Sequence, residues 1–280
     1  MIQEFHYRIH WSSRNVRPGH HPSIQSGGGF EFCGYKSLHA NADARHIDIR
    51  ASLNDPFEQF VVRRFRQYSS VPIFVIADLS ASMGFGSLRN KIELLADFST
   101  SAAYSAYRTG DPFGFIGCNR KILWNLFLAL GQYRGSAIEH LKKVRQFTPI
   151  ENGMLGMLDA VQYLGKKRAL VFLVSDFHFP FPVINSLMDA YSPHDIVPVV
   201  VWDSAEFEDL PSRGFVRVKD AETGSERTLL MRPELHLKIK KAFQKRHNRL
   251  VEICSRYGRE PFFILNKFLP DKLTEYFAYK

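Results

Sequence analysis

Three continuous apolar runs constrain this chain most: VPIFVIAD (71–78), RALVFLVSD (168–176) and DIVPVVVWD (195–203). A strand with one wet face alternates apolar and polar residues, whereas a strand covered on both faces has no polar side to show. The runs are short, rich in β-branched residues and apolar throughout, so they read as strands buried between layers. Helical spacing fills the intervals. Ile92, Leu95, Ala96, Ser99, Ala103 and Ala106 mark a helix over 88–108, and further helices are predicted over 136–146, 154–165 and 181–191. Strand and helix in this rhythm predict an α/β fold, a doubly wound, mainly parallel sheet with helices on both faces.

Shorter segments complete the reading. FGFIGCN (113–119) and KILWNLFL (121–128) are predicted as strands joined by a tight turn at Asn119-Arg120, and PFFILNK (261–267) as a last strand of the same sheet. Residues 214–219 and 226–230 flank DAETGS as a β-hairpin with its turn near Gly224. Helices follow over 232–257, with Pro233 near the start, and over 271–279. The first 70 residues are less regular, with GGGFEF and HIDIRA as short strands of a loop-rich β subdomain. The expected division is therefore residues 1–70 and residues 71–280, the latter including the hairpin and the basic helix.

Composition narrows the classes. With 45% apolar and 23% charged residues the chain is neither disordered nor fibrous, and 24 phenylalanines imply a dense aromatic core. Cys33, Cys118 and Cys254 lie far apart without a C-x-x-C pair, which favours a reducing, cytoplasmic setting over a disulfide framework. The polar, basic opening MIQEFHYRIHWSSRNVRPGHH does not read as a signal peptide, and no stretch approaches the ~18 apolar residues of a membrane helix. The net charge of +9 is concentrated near the C-terminus, where Lys238, Lys240, Lys241, Lys245, Arg246 and Arg249 line the predicted helix. Such a stripe could bind phosphate backbones or an acidic protein, with Lys238, Lys241, Lys245 and Arg249 as the partner-binding candidates. The plainer, preferred reading is a solvated face over an apolar one.

The chemistry concentrates in Asp78-Leu79-Ser80-Ala81-Ser82-Met83-Gly84, where a buried strand ends and a helix is about to begin. Open α/β sheets bind ligands at the carboxyl ends of their strands. A carboxylate and two hydroxyls at alternate positions of a curved loop can face one centre, and all are hard oxygen ligands suited to Mg²⁺ or Mn²⁺. The strand at 168–176 also ends in an acid, Asp176, whose tip could lie beside that of 71–78. The competing reading is that Asp78 and Ser80 only cap the following helix.

Other chemistries fit less well. An aspartyl-phosphate phosphatase needs a second Asp where Ser80 stands, and no G-x-x-x-x-G-K-[ST] loop is present. Gly27-Gly28-Gly29 follows no long strand and opens no helix, so it reads as a turn. His6, His10, His20, His21, His39 and His46 crowd the first residues without metal spacing on a helix, and His178 reads as a rim residue near any ion.

DLSAS followed by Met83-Gly84 resembles the D-x-S-x-S signature of von Willebrand factor A domains, whose metal-ion-dependent adhesion site binds Mg²⁺. GGGFEF (27–32), DARHIDIRAS (43–52), FVVRRF (60–65), DLSASMGFG (78–86), LVSDF (173–177) and DAETG (220–224) also occur in the order of a bacterial family, domain of unknown function fifty-eight. Its members are von Willebrand A-like proteins encoded beside a MoxR-type AAA+ ATPase, and this chain is most similar to the short members found in methanol-oxidation gene clusters. The resemblance covers about residues 20–230. It implies that Asp78, Ser80 and Ser82 supply the first metal loop and Asp176 the third. The second loop normally supplies a threonine, but QFTPIENGMLGML has none in register: Asn152 falls nearest and Thr148 is four residues early. The usual R-Y-x-x-G-D is replaced by GYKSLHANAD, and Ile49 stands where a tryptophan is usual.

The resemblance implies a non-enzymatic adaptor whose Mg²⁺ or Mn²⁺ captures an acidic residue of a partner. The implied partners are a MoxR-type ATPase and a client complex, and the implied role is maturation or metal or cofactor insertion in a dehydrogenase system, with methanol dehydrogenase the indicated case. The alternative is a nucleic-acid-binding protein that uses the basic helix.

Overall fold

The computed structural model describes residues 3–9, 11, 18–40, 44–57, 59–133, 135–151, 153–211, 213–219 and 226–279. The chain divides into two compact units, Ile9–Val71 on one hand and Met1–Arg8 with Pro72–Lys280 on the other.

In the smaller unit β1 (Pro18–Ser37) pairs antiparallel with β2 (Val61–Ser69), in register from Tyr35 opposite Arg63 to Ser37 opposite Val61. GGGFEF lies within β1, but HIDIRA does not form the expected strand. Only Ile47 bridges to Val62, because Asp48 turns the chain into helix α1 (Ile49–Leu53) by accepting the Ala51 N–H at 3.0 Å. A single N-capping carboxylate thus overrides the alternating pattern.

The larger unit contains, in chain order, β3 (Ile73–Asp78), α2 (Lys91–Arg108), β4 (Phe113–Cys118), β5 (Leu128–Gly131), α3 (Ser136–Arg145), α4 (Leu155–Asp159), β6 (Leu170–Ser175), α5 (Phe181–Tyr191) and β7 (Asp195–Trp202). The hairpin β8 (Gly214–Lys219) and β9 (Glu226–Met231), the long helix α6 (Pro233–Ser255), β10 (Phe262–Leu265) and α7 (Pro270–Ala278) follow. The turn expected near Gly224 lies outside the described residues. The six-stranded sheet has the order β10-β7-β6-β3-β4-β5, parallel except for β5. Every residue of β3, β4, β6 and β7 is buried, as the unbroken apolar runs require.

Alternate side chains of each strand feed two cores. Phe74, Ile76, Val171 and Leu173 face Met157 of α4, Ile184 and Leu187 of α5, and Leu250 and Ile253 of α6. On the other face Phe172 meets Phe98 of α2 and Phe277 of α7 edge to face. Phe5 stacks on Phe98 and meets Phe172 at 6.0 Å, and its N–H donates to Ser105 Oγ at 2.9 Å. The opening residues therefore complete the larger unit's core, unlike the expected grouping of residues 1–70.

The strand expected at 121–128 starts later. Asn119 Oδ1 accepts the Lys121 N–H at 3.1 Å and the Leu123 N–H returns to Gly117 O at 2.9 Å, so the chain forms a 3₁₀ turn at Trp124–Leu126 before β5. The helix expected over 154–165 tightens after Asp159 into a 3₁₀ turn, Ala160–Tyr163.

Candidate metal centre

β3 sits between β4, which follows it in the chain, and β6, which returns on its other side. That reversal is the topological switch point, where the loops leaving neighbouring strands diverge and open a crevice. Asp78 closes β3, and Asp176 directly follows Ser175, the last residue of β6, so the pairing of β3 with β6 brings the two predicted acids to one edge.

Asp78 is completely buried, and both carboxylate oxygens are engaged: Oδ1 accepts the Ser80 N–H at 2.9 Å and Oδ2 the Ser175 hydroxyl at 2.7 Å. The first bond curls the loop so that Ser80 Oγ and Ser82 Oγ come within 3.2 Å of each other. Capping does not explain these residues. Asn90 caps α2, its side chain accepting the Glu93 N–H at 2.8 Å, and Ser80 makes no side-chain cap to the short turn that follows it. Carboxylate and hydroxyl oxygens are hard donors, the class that Mg²⁺ and Mn²⁺ prefer.

Asp176 is differently occupied. Lys91, the first residue of α2 and only 1% exposed, donates from Nζ to Asp176 Oδ2 at 3.1 Å and to Glu206 Oε1 at 2.6 Å. The His178 N–H reaches Asp176 Oδ1 at 3.2 Å, and the Trp202 indole N–H donates to the Asp176 carbonyl at 2.8 Å. His178 stacks on Trp202 with ring centres 6.0 Å apart, and its Nε2 is 3.9 Å from Glu206. Among the described residues no group of three His, Cys, Asp or Glu side chains is arranged to hold a metal ion.

The charges divide the two acids. Burial, reinforced by the neighbouring charge of Asp176, pushes the Asp78 carboxyl up to about 6, against the bonds from Ser175 and Ser80. Burial also presses Asp176 upward, but Lys91, then His178, outweigh it and hold that carboxyl below its ordinary value. Burial works to discharge Lys91, yet Asp176 and Glu206 keep its pKa raised. One acid is poised to protonate and the other is locked as the anion of an ion pair.

The second loop lies against the first. The Ala81 N–H donates to Glu151 O at 3.0 Å, and a Cβ on Gly84 would approach Pro149 Cγ to 2.9 Å. Thr148 is exposed on this loop, and Asn152 lies outside the described residues.

On α6, Lys238, Lys241 and Lys245 are exposed, and Arg249 pairs with Glu252 on the same helix at 2.5 Å. Arg246 leaves the expected basic stripe. It donates to the carbonyls of Phe177 and Phe179 and packs over the Phe181 ring at 5.1 Å, pinning the loop after Asp176. Sequence reasoning missed Lys91 and Glu206. A lysine opening a helix and a glutamate after a later strand carry no pattern that predicts their meeting.

Comparisons with known proteins bear on the chain as a whole. A Paracoccus denitrificans protein described as an uncharacterized protein in the moxR 3′ region is 30% identical over 101 residues, 36% of this chain and 96% of that protein. Among solved structures, the conserved hypothetical protein BatB of Bacteroides thetaiotaomicron is similar at 10% identity and a TM-score of 0.47, over 75% of this chain and 98% of that one. A von Willebrand factor type A protein of Catenulispora acidiphila is similar at 13% identity and a TM-score of 0.36, over 76% of this chain and 42% of that one. No helix among the described residues is long and apolar enough to cross a membrane. The model of the family described as "Protein of unknown function DUF58" matches residues 41–249, most of the chain, and the chain belongs to that family.

Proposed function

We propose that this DUF58 family member is a non-enzymatic, metal-dependent adaptor that works with a MoxR-type AAA+ ATPase. The observation that carries metal dependence is the meeting of the Ser80 and Ser82 hydroxyls at 3.2 Å beside buried Asp78, at the switch point of the sheet. In this reading Asp78, Ser80 and Ser82 hold Mg²⁺ or Mn²⁺, directly or through water, and the ion's outward position takes a carboxylate of the partner. Asp176, engaged by Lys91, contributes fixed negative charge behind the loop. The ATPase is suggested by the Paracoccus relative, whose description places it in the moxR 3′ region. The client is a dehydrogenase complex, with methanol dehydrogenase the case indicated by the sequence resemblance, and the task is its maturation or the insertion of its metal or cofactor.

The test is binding of a MoxR-type ATPase from the same genome to the immobilised full chain, across salt concentrations, with and without chelator. Chelation, Ser80→Ala and Ser82→Ala are each expected to weaken capture at every salt concentration. Capture that survives chelation but is abolished by Lys241→Glu would overturn the metal reading and make α6 the interface. Salt-dependent DNA binding lost on the same charge reversal would favour the nucleic-acid reading instead.

A further inference from the structure

Lys91 is buried where a chain rarely buries an ammonium, and it is matched there by carboxylates from two other elements. The two acids are held alike. Asp176 has Oδ1 on the His178 backbone N–H and Oδ2 on Lys91. Glu206 has Oε2 on the Asp203 backbone N–H at 3.2 Å and Oε1 on Lys91. Asp203 in turn caps the turn that carries Glu206, accepting the Ala205 N–H at 2.8 Å, and ties down the β3–α2 loop through the Ser87 N–H at 2.9 Å. Each carboxylate is thus fixed by backbone on one oxygen and presents the other to a single central cation. A hard divalent ion asks for the same arrangement of converging, pre-oriented carboxylate oxygens.

We propose that the Lys91 ammonium is the resident cation of this edge of the sheet, holding Asp176 and Glu206 in place of a divalent ion and confining any bound metal to the Asp78–Ser80–Ser82 loop. Lys91 is too deeply buried to touch a partner, so its effect is on which oxygens remain open to metal. Only the confinement to the loop rests on the proposed metal dependence. The occupation of Asp176 and Glu206 by the lysine stands without it.

The experiment is a titration of the purified full chain with Mn²⁺, followed by calorimetry and by the electron paramagnetic resonance of the free ion. Lys91→Met should bind Mn²⁺ roughly tenfold or more tightly than the wild type, since ligand charge sets affinity for hard cations. Asp176→Asn added to Lys91→Met should reduce the gain, since only Glu206 is then uncovered. Lys91→Met that binds Mn²⁺ no tighter than wild type, or a gain undiminished by Asp176→Asn, overturns the proposal. Should Lys91→Met fail to fold, Lys91→Met/Glu206→Gln uncovers one carboxylate in place of two; a smaller tightening supports the proposal and no tightening overturns it. A wild type that binds no Mn²⁺ beside a variant that does would defeat the metal-dependent adaptor and leave this inference standing. A wild type that binds Mn²⁺ beside a variant that binds no tighter would do the reverse.

Discussion

Asp78 carries the sharpest consequence of burial at a single residue. Its carboxyl is raised to about 6 by desolvation and by Asp176, above the ordinary carboxylate value in the unfolded chain. The unfolded state therefore releases its proton first. The contribution of Asp78 to stability is full below about pH 4 and is lost as pH rises through about 6. In metal-free protein, Asp78→Asn should flatten that fall and leave the variant more stable than wild type at pH 7 by on the order of 1–3 kcal/mol. A divalent ion should raise the thermal midpoint of the wild type and leave that of Asp78→Asn unchanged. Thermal unfolding from pH 4 to 8, with and without Mg²⁺, checks both statements; a variant less stable than wild type at pH 7 without metal would refute the first. The acids themselves were legible in the sequence, because each ends an apolar run and strand ends gather at one edge. Lys91 was not, because a cation recruited across three elements has no local periodicity.

At the scale of elements, α6 serves two purposes that its composition merges. Its exposed lysines meet solvent, while Arg246 fastens the helix to the carbonyls of Phe177 and Phe179. Phe177 is wholly buried with a φ of 50°, a left-handed conformation rare for an aromatic residue, and the arginine holds the loop that contains it. Arg246→Met leaves those carbonyls without their donor and should cost about 1–3 kcal/mol in urea unfolding. Lys241→Glu should change stability by less than about 0.5 kcal/mol. Its effect should fall on the rate of partner association and on the salt dependence of that rate, measurable by stopped flow, because an exposed charge is screened beyond ~8 Å at physiological salt. Equal losses of stability in the two variants would contradict this division. Sequence periodicity placed both residues on one basic helix, but which one turned inward depended on the loop that α6 met.

For the larger unit as a whole, the opening segment and the last helices close the fold. Phe5 is 2% exposed between Phe98 and Phe172, so Phe5→Ala should cost about 3–5 kcal/mol and lower the thermal midpoint of the larger unit. Arg259 and Asp195 form a buried pair at 2.8 Å that joins the segment after α6 to the start of β7. Arg259→Met should cost about 3–5 kcal/mol by leaving Asp195 buried without its guanidinium, and calorimetry of the two variants checks both values. The sequence by itself determined the buried strands, the helices between them, the parallel sheet and the acids at its edge. Those features follow from hydrophobic pattern and chain order, which act over a few residues or along one connection. Only the tertiary structure decided that residues 3–8 would join a core built from β6, α2 and α7, that Asp48 would begin a helix where a strand was expected, and that Lys91 would take Asp176. Each of these depends on distant groups sharing one desolvated space, where the energy of a charge or a ring is set by its neighbours in three dimensions and not by its neighbours in the chain.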